Sequence, residues 1–463
     1  MDTEDVSWVA DEFGFASLGD ERRTDRLVKL ATSLAESPTA SFPEALKSQA
    51  ELTATYRFFD NDQIDAENIL ASHTGASLDR LGSVPVVLSV QDTTEFNFTS
   101  HKALEDAGPL THANCQGFFA HTTLAITPER VPLGVLSQLV WAREKDPPNK
   151  RATRKNRPIE EKESNKWLLS LQATIDIQAH CNGTQFISVG DREADIYDLF
   201  LVDRPQNVDL LVRAAQNRNV ESEDGTVESL LEQVAQAKAA TTVELQVPKR
   251  QQQPARQATL TLRYCKVTLC PPQYRAKEKL SPVEIWVVWA VEENPKKGVE
   301  PIAWLLLTTC PINSVKAALQ TLDWYACRWG IEILHKVLKS GCKIEARQLE
   351  TADRIKRCLS VYSVIAWRIL YATMLVRCVP DAPCTALLDP DEWQALYCAI
   401  HEVPTPPDEV PSLYQAVRWI AQLGGFIDRK NNGQPGVTVL WRGFQHLTDL
   451  TKMYRIFNPR SPS

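Results

Sequence analysis

The sequence predicts an α/β protein in which a mixed sheet is flanked by helices and interrupted by an antiparallel block, with helical segments at both ends. Three observations support this. The first ~75 residues carry leucines and alanines at helical spacing, short apolar runs alternate with helical patterns from Val84 onward, and about 220–310 contains four successive strand-like runs. Alternating strand and helix patterns are typical of a sheet covered by helices.

The N-terminal elements are helices by their periodicity. "LGDERRTDRLVKLATSLAES" predicts one long helix, and "FPEALKSQAELTATYRFFDN" predicts two shorter ones after a proline break. "VPVVLSVQD" then predicts a strand that ends on Asp92. "GFFAHTTLAITPERVPLGVLSQLVWA" predicts two strands joined by a turn at Pro128–Pro132.

The next stretch repeats the alternation of helix and strand. "PIEEKESNKWLLSLQATIDIQAHC" predicts a helix, "TQFISVGDREADIYDLFLVD" a buried strand ending on Asp191 and then a helix, and "NVDLLVRAAQ" a further strand. The β-rich insertion follows, then a single helix over 323–341. Helices resume from about 373. We predict three domains, with boundaries at 1–75, 76–372 and 373–463.

Composition narrows the class of protein. The 463 residues carry a net charge of −7, which argues against non-specific coating of polyanions, although local basic clusters still permit nucleic-acid binding. Eleven scattered cysteines without a Cys-x-x-Cys pair, and no expected leader peptide, predict a cytoplasmic protein with free thiols and no structural zinc. The apolar run from Val361 is interrupted by Arg368, which predicts a core helix and no membrane association.

Asp92 and Asp191 share a context, because each follows a hydrophobic strand at the point where the chain leaves the sheet. Strand ends are where α/β folds place functional side chains. The alternative is that each aspartate caps the following turn or helix. Either interpretation fits one aspartate taken alone.

A polar stripe on the 323–341 helix is more discriminating. Positions 325, 328, 332, 335 and 339 are separated by three and four residues, so Tyr325, Arg328, Glu332 and Lys339 share one face between apolar flanks. The alternative is a surface helix in which Glu332 pairs with Lys336. Apolar flanks favour a lined cleft, where converging carboxylates need neutralisation by a hard cation such as Mg²⁺. Two such ions support in-line phosphoryl transfer.

These residues also carry a family resemblance. Tyr325, Arg328, Glu332 and Lys339 fit the pattern Y-x2-R-x3-E-x6-K, and the sequence around them resembles bacterial DDE transposases of the insertion-sequence-four family. Further matching segments occur in order along the chain: "LGDERRTDRLVKLA", "YRFFDN", "QDTTEF", "EKESNKWL", "GDREADIYD", "LVRAAQNRNV", "PIAWLLLTTCPI" and "AQLGGFIDRK".

The resemblance implies a ribonuclease H-like core in which Asp92, Asp191 and Glu332 are the catalytic, metal-binding triad, with two Mg²⁺ or Mn²⁺ ions per site. Such enzymes nick each transposon end, form a hairpin, reopen it and join the 3′ ends to target DNA. The resemblance also assigns DNA contacts. These are Tyr325, Arg328 and Lys339, with Lys336 nearby, Arg213 on a phosphate and Trp304 stacked on a flipped base.

Several of these residues have plainer interpretations. Trp304 in an apolar strand could be a core residue, and Arg213 an ordinary strand-end arginine. We interpret His335 and His121 as structural histidines. In the first domain, Arg22, Arg23, Arg26 and Arg57 are candidates for reading the end sequence. Two basic stretches, 150–157 and 249–279, are candidates for DNA-backbone contact or simply solvated loops.

The expected partners are transposon-end DNA and target DNA, with a homodimer assembled on paired ends through the helical C-terminal domain. No nucleotide cofactor is expected. Two rival functions stay open at this stage: a catalytically silent regulator that still binds the ends, and a general metal nuclease on the same fold. Metal-dependent cleavage separates the first rival from a transposase, and hairpin products separate the second.

Overall fold

A computed structural model of the chain describes residues 8–144, 157–222, 225–247, 255–296, 298–427 and 433–458. The chain divides into two compact units. Unit 1 takes its residues from 1–80, 93–146 and 330–463, and unit 2 from 81–92 and 147–329. Each unit is therefore assembled from separate stretches of sequence, and the division into domains at 1–75, 76–372 and 373–463 stays a prediction. The basic stretch 150–157 lies outside the described residues except for Arg157, as do residues 249–254 of the second stretch and the last three residues of "AQLGGFIDRK".

The N-terminal region is helical, as predicted from its periodicity. The long second helix begins at Asp20, whose side chain accepts a hydrogen bond from the Arg22 N–H, and the fourth begins at Ser48, which accepts one from the Glu51 N–H. Such caps satisfy backbone groups that a helix start leaves unpaired. The helices are α1 (Trp8–Phe13), α2 (Glu21–Glu36), α3 (Phe42–Ala45), α4 (Gln49–Phe59) and α5 (Ala66–Gly82).

The first strand is longer than predicted. β1 (Val86–Asn97) continues five residues beyond Asp92, because its second half pairs with β3: the Phe98 N–H donates to the Gln116 carbonyl at 2.9 Å. Gly117 is required for this approach, since a Cβ there would lie 1.9 Å from the Phe96 carbonyl oxygen. The other strands of unit 1 are β2 (Gly108–Pro109), β3 (Gln116–Ile126) and β4 (Pro132–Trp141), and β3 and β4 form the predicted antiparallel pair.

Unit 2 holds a parallel core and an antiparallel insertion. The first half of β1 pairs in parallel with β5 (Gln185–Gly190), which pairs in parallel with β6 (Val208–Arg213). The path then continues through antiparallel partners. In path order they are β12 (Ala303–Thr308), β11 (Val283–Val291), β10 (Arg256–Leu269), β7 (Asn219–Glu221) and β8 (Val227–Ser229), with β9 (Thr241–Val247) paired to β10. The predicted mixed sheet with its antiparallel block is confirmed.

Among the described residues of unit 2, three helices precede β12 along the chain, and the last of them was not predicted. They are α6 (Asn165–Gln178), α7 (Tyr197–Leu201) and α8 (Leu230–Gln236). The last has only seven residues, too few for the apolar periodicity to be recognised, but it begins with a capping box between Ser229 and Glu232.

The helix predicted over 323–341 is divided into three parts, which corrects the prediction. α9 (Val315–Cys327) ends before Arg328, α10 (Trp329–Lys336) follows, and Val337–Gly341 forms a π-turn in which the Cys342 N–H donates to the Val337 carbonyl at 2.8 Å. A π-turn inserts one residue into a helix. Gly341 fits here because a Cβ would lie only 3.0 Å from the Trp441 ring.

The C-terminal region is helical, as predicted, although the expected boundary at 373 falls inside a helix. The helices are α11 (Ala352–Cys378), α12 (Pro390–His401), α13 (Leu413–Leu423) and α14 (Val437–Phe457). By length and composition α11 could cross a membrane, but 83% of its most apolar window is buried, so it serves as a core helix. α13 and α14 approach closely at Gly443, where a Cβ would lie 1.8 Å from the Ile420 carbonyl oxygen.

A buried ionic network ties the N-terminal helices of unit 1 to its sheet. Glu12 on α1 is 3% exposed and accepts hydrogen bonds from His73 at 2.5 Å and from Arg80 at 2.8 and 3.2 Å. The Val135 N–H of β4 donates to His73 Nε2, so the ring proton is on Nδ1, facing Glu12. Burial lowers the pKa of His73, which keeps the ring neutral. Burial alone would raise the pKa of Glu12, but His73 and Arg80 hold it below its usual value.

Replacing Glu12 by Gln should lower the free energy of unfolding by about 3 kcal/mol, because the Arg80 guanidinium then loses its counter-ion while partly buried. Urea denaturation of the two proteins measures the change. Glu21→Gln, at an exposed position of α2, is the matched control and should alter stability by less than about 0.5 kcal/mol. Equal stability of wild type and Glu12→Gln would contradict a supporting role for this network.

Candidate active site

The two predicted aspartates of unit 2 lie level with each other at one edge of the parallel sheet. β1 and β5 are adjacent, and their register pairs Val90 with Val189. Asp92 and Asp191 each follow that pair by two residues. Because the strands are parallel, both positions lie at the carboxyl end of the β1–β5 pairing, where α/β folds place functional groups: the chain leaves the sheet at Asp191, whereas β1 continues past Asp92. The register therefore supports the interpretation of Asp92 and Asp191 as one site.

Asp191 also caps the turn that follows it. Its Oδ1 accepts a hydrogen bond from the Glu193 N–H at 2.8 Å, and the chain then forms a 3₁₀ turn over Arg192–Ala194. The capping interpretation is thus correct for Asp191. It does not exclude a ligand role, because a carboxylate has about four lone-pair positions and this bond uses one of them.

Arg213 is placed at the same edge by the next strand. β6 pairs with β5 so that Val212 faces Gly190, which puts Arg213 one step further along, beside Asp191. The Arg213 side chain is half-buried and its Nη2 donates to the Ala303 carbonyl at 3.1 Å. Arg213 is therefore a strand-end arginine whose position also brings a positive charge to the carboxylate edge.

Trp304 and Tyr325 form an aromatic pair next to Arg213. The two rings meet edge to face, with centroids 5.6 Å apart. Trp304 is half-buried and Tyr325 is 6% exposed, so the core interpretation describes Tyr325 better than Trp304. Burial raises the pKa of the Tyr325 hydroxyl, against the opposing effects of Arg328 and of a hydrogen bond with Arg213. The phenol is therefore protonated and able to donate a hydrogen bond.

Arg328 lies against Asp92. Its Nη1 is 3.6 Å from Asp92 Oδ2, and the two side chains are 16% and 20% exposed. The backbone of Arg328 is the C-cap of α9, and its N–H donates to the Tyr325 carbonyl at 3.1 Å. Arg328 keeps right-handed helical backbone angles (φ −52°, ψ −30°), so its side chain reaches the carboxylate from a helical position between α9 and α10.

The electrostatic core of the following loop was missed by the sequence analysis. Asp195 is fully buried and accepts hydrogen bonds from the N–H groups of Ala215 and Gln216 at 2.7 and 3.1 Å and from Arg218 at 2.7 and 2.9 Å. Asp195 thus connects the turn that follows Asp191 with the segment that follows Arg213. The signal was present in "GDREAD" and "AQNRNV", but a sequence does not tell a surface Asp from a buried one.

The remaining signature residues belong to unit 1. Glu332 is half-buried in the first turn of α10, and Lys336 is exposed at its end. Lys339 lies in the π-turn, half-buried, with its Nζ 5.7 Å from the centre of the Phe96 ring. The triad role of Glu332 stays a prediction, and the pairing of Glu332 with Lys336 stays the alternative to it.

The two histidines that we interpret as structural are buried. His335 is 6% exposed, and His121 is fully buried with its Nδ1 2.9 Å from Thr93 Oγ1. Neither is assigned a ligand role.

The four N-terminal arginines have different surroundings in unit 1. Arg22 is exposed and bound to Asp20, and Arg23 donates to the Leu18 carbonyl at 2.8 Å and to Gln63. Arg26 lines a groove between α2 and α4, and Arg57 is exposed on α4. All four arginines stay candidates for contacting DNA.

Asp92 and Asp191 suit a hard divalent cation by their chemistry, since both are carboxylates and both are only partly buried. Among the described residues, no group of three or more His, Cys, Asp or Glu side chains is arranged to hold a metal ion. In unit 2, Arg328 Nη1 lies 3.6 Å from Asp92 Oδ2. The two carboxylates are therefore of the chemical type that binds a divalent cation, and one of them, Asp92, lies next to Arg328.

Three family models match the chain. A model described as transposase DNA-binding matches residues 5–64, a transposase DDE domain matches 189–366, and a transposase Tn5 dimerisation domain matches 364–460. The DDE model covers Asp191 and Glu332 but begins after Asp92. The solved structure of a piggyBac transposase synaptic complex with hairpin DNA is 8% identical, with 98% of this chain and 80% of that chain covered, and a TM-score of 0.37. That likeness is too weak to support an inference.

Together, the fold and these matches define a DDE-type DNA transposase with DNA-binding, catalytic and dimerisation regions. The chain belongs to the Tn5-like DDE transposases, and the insertion-sequence-four resemblance agrees with this. DDE transposase domains generally use divalent metals such as Mg²⁺, and the DNA-binding and dimerisation regions support DNA and a second copy of the chain as partners.

Replacing Asp195 by Asn should destabilise unit 2 by about 3–5 kcal/mol, because it leaves the buried Arg218 charge without its counter-ion. Urea denaturation followed by tryptophan fluorescence measures this. Asp198→Asn is the matched control: its partner Arg275 is 17% exposed and also bound to Glu278, so the loss should be about 1 kcal/mol or less. Similar losses in both variants would contradict the special role of Asp195.

Proposed function

We propose that the protein is a cut-and-paste transposase that binds the ends of its element, cleaves them by two-metal phosphoryl transfer through a hairpin intermediate, and joins the 3′ ends to target DNA. The observation that supports this most directly is the level placement of Asp92 and Asp191 on adjacent parallel strands. Cationic and aromatic side chains at the same edge, Arg213, Tyr325 and Arg328, suit a polyanionic substrate.

In this proposal Asp92, Asp191 and Glu332 would hold two Mg²⁺ ions, with Mn²⁺ as a substitute. When bound, such ions activate the attacking oxygen and stabilise the leaving oxygen of an in-line displacement. The chain's own contribution is to supply oxygen ligands from the carboxyl end of the β1–β5 pairing and from one helix. Glu332 is carried by α10, directly after the Arg328 cap.

Four cationic side chains and one phenol would bind end phosphates: Arg213, Arg328, Lys336, Lys339 and Tyr325. Arginine suits this role because its planar guanidinium binds phosphate through two parallel hydrogen bonds. Tyr325 supplies a protonated hydroxyl as a neutral donor. Trp304 would stack on a flipped base, which its half-buried ring beside Tyr325 supports.

End recognition and dimerisation are assigned to the two helical regions. Arg22, Arg23, Arg26 and Arg57 are the candidates to contact the terminal repeat. For assembly on paired ends, the end of α14 offers apolar side chains to a second copy: Met453, Ile456 and Phe457 are 52%, 67% and 73% exposed. An exposed apolar cluster of this kind is typical of an interaction surface. We place the protein in the bacterial cytoplasm, at the nucleoid when bound to DNA.

Asp92→Asn, Asp191→Ala and Glu332→Gln should each abolish cleavage while end binding is largely retained. The cleavage rate should fall by more than about 100-fold, because each substitution removes a direct metal ligand. Replacing a residue that only supports a ligand typically costs about 10–100-fold. The measurement incubates purified protein with Mg²⁺ and a duplex carrying the terminal repeat of its element, and resolves nicked and hairpin products on a denaturing gel. Gel shift with the divalent cation omitted measures end binding in parallel, so that the comparison does not include any effect of the cation on end affinity.

Glu193→Gln is the matched control, since Glu193 is an exposed carboxylate two residues from Asp191. It should cleave like wild type. Binding by wild type without cleavage in Mg²⁺ or Mn²⁺ would favour the silent regulator instead. Cleavage of any duplex without hairpins would favour a general nuclease.

Trp304→Ala should reduce hairpin formation more than the first nick, because only the hairpin step requires the flipped base to be held. Loss of one base–aromatic stack is worth about 1–3 kcal/mol, or roughly 5–150-fold in the hairpin yield. Trp304→Phe keeps an aromatic face and should recover part of it. Time courses of nick and hairpin on the same gel give the ratio, and an equal decline of both steps would contradict base stacking.

A further inference from the structure

The pairing of Arg328 with Asp92 affects how a divalent cation can bind at Asp92. Both side chains are mostly shielded from water, and a charge pair at this depth interacts more strongly than one on the surface. Arg328 Nη1 lies 3.6 Å from Asp92 Oδ2, so the guanidinium lies where it repels any divalent cation approaching that oxygen. The arginine and the cation compete for one carboxylate.

We propose that Arg328 is the resident counter-ion of Asp92 in the DNA-free protein, and that a phosphate of the bound end draws the guanidinium away from it. Binding of end DNA and binding of the divalent cation are then cooperative through this one residue. The inference rests on the proposed function, in which Asp92 is a metal ligand.

The surroundings of Arg328 favour such an exchange. Its backbone is fixed as the C-cap of α9, while the long side chain can reorient about that point. Tyr325, one turn earlier, and Arg213 supply a donor and a second positive charge that attract a phosphate to the same place. A phosphate also offers the two-bond geometry that a guanidinium prefers, whereas the 3.6 Å contact with Asp92 is longer than a good charge-assisted hydrogen bond.

Linkage makes the effect reciprocal. If the end tightens cation binding by a given factor, the cation tightens end binding by the same factor, and such couplings are commonly about 5–150-fold. The protein would therefore bind the cation more weakly when it is not bound to a transposon end. This limits cleavage elsewhere on DNA without any separate regulatory domain.

The test measures Mn²⁺ binding directly, as the loss of the electron paramagnetic resonance signal of free Mn²⁺. Full-length wild type, Arg328→Ala and Arg328→Lys are titrated without DNA and with a saturating duplex that already ends at the transposon terminus, so that no cleavage is required. Asp92→Ala with the same duplex gives the background due to DNA and other sites. Arg192→Ala, which removes an exposed arginine beside Asp191, is the control for net charge.

Without DNA, Arg328→Ala should bind Mn²⁺ about tenfold more tightly than wild type, while Arg328→Lys and Arg192→Ala stay within about threefold of it. The duplex should tighten Mn²⁺ binding by wild type at least about fivefold and by Arg328→Ala much less. Equal Mn²⁺ affinity of wild type and Arg328→Ala without DNA overturns the proposal for Arg328 and leaves the metal role of Asp92 intact. Wild type that binds no more Mn²⁺ than Asp92→Ala, with the duplex present, overturns both.

Discussion

The register between β1 and β5 is the constraint on which the candidate site depends. A parallel pair fixes which residues stand side by side, and here it brings two aspartates to the same level of the sheet. A shift of one residue would turn one carboxylate to the opposite face of the sheet. Interactions near the strand ends support this register. Gln91 donates to Ser188 across the pair, and the buried Asp195–Arg218 cluster holds the turn that follows Asp191.

The site in unit 2 combines acids and bases whose charges nearly balance before any ligand binds. Asp92 faces Arg328, while Arg213 lies beside Asp191 and the protonated Tyr325. Bringing phosphates and divalent cations to such an edge adds both signs of charge together. The arrangement is thus suited to a substrate that arrives with its own counter-charges, as a nucleic-acid backbone does.

Much of this could be predicted from the sequence, and the exceptions have physical causes. Apolar periodicity located the N-terminal helices, the strand that contains Asp92, the strand that ends just before Asp191, and the antiparallel insertion. It could not foresee that β1 continues to Asn97, because that depends on hydrogen bonds to β3, nor that α8 exists, because seven residues carry too little periodicity. Asp195 is buried because of hydrogen-bond partners twenty or more residues away, and the local sequence pattern does not reveal such partners.

The division of the signature helix has a further consequence. Its three-and-four spacing is the pattern of one uninterrupted α-helix, yet the regular hydrogen bonding is interrupted at Arg328, whose backbone stays right-handed helical, and Val337–Gly341 forms a π-turn with one additional residue. Each residue of an α-helix turns the chain by about 100°. A one-residue deletion within Val337–Gly341 could therefore restore regular helix while rotating all that follows by roughly that angle. Because Lys343 adopts a left-handed backbone conformation (φ 47°) and ends the helix at this point, the change of direction would fall on the loop that follows.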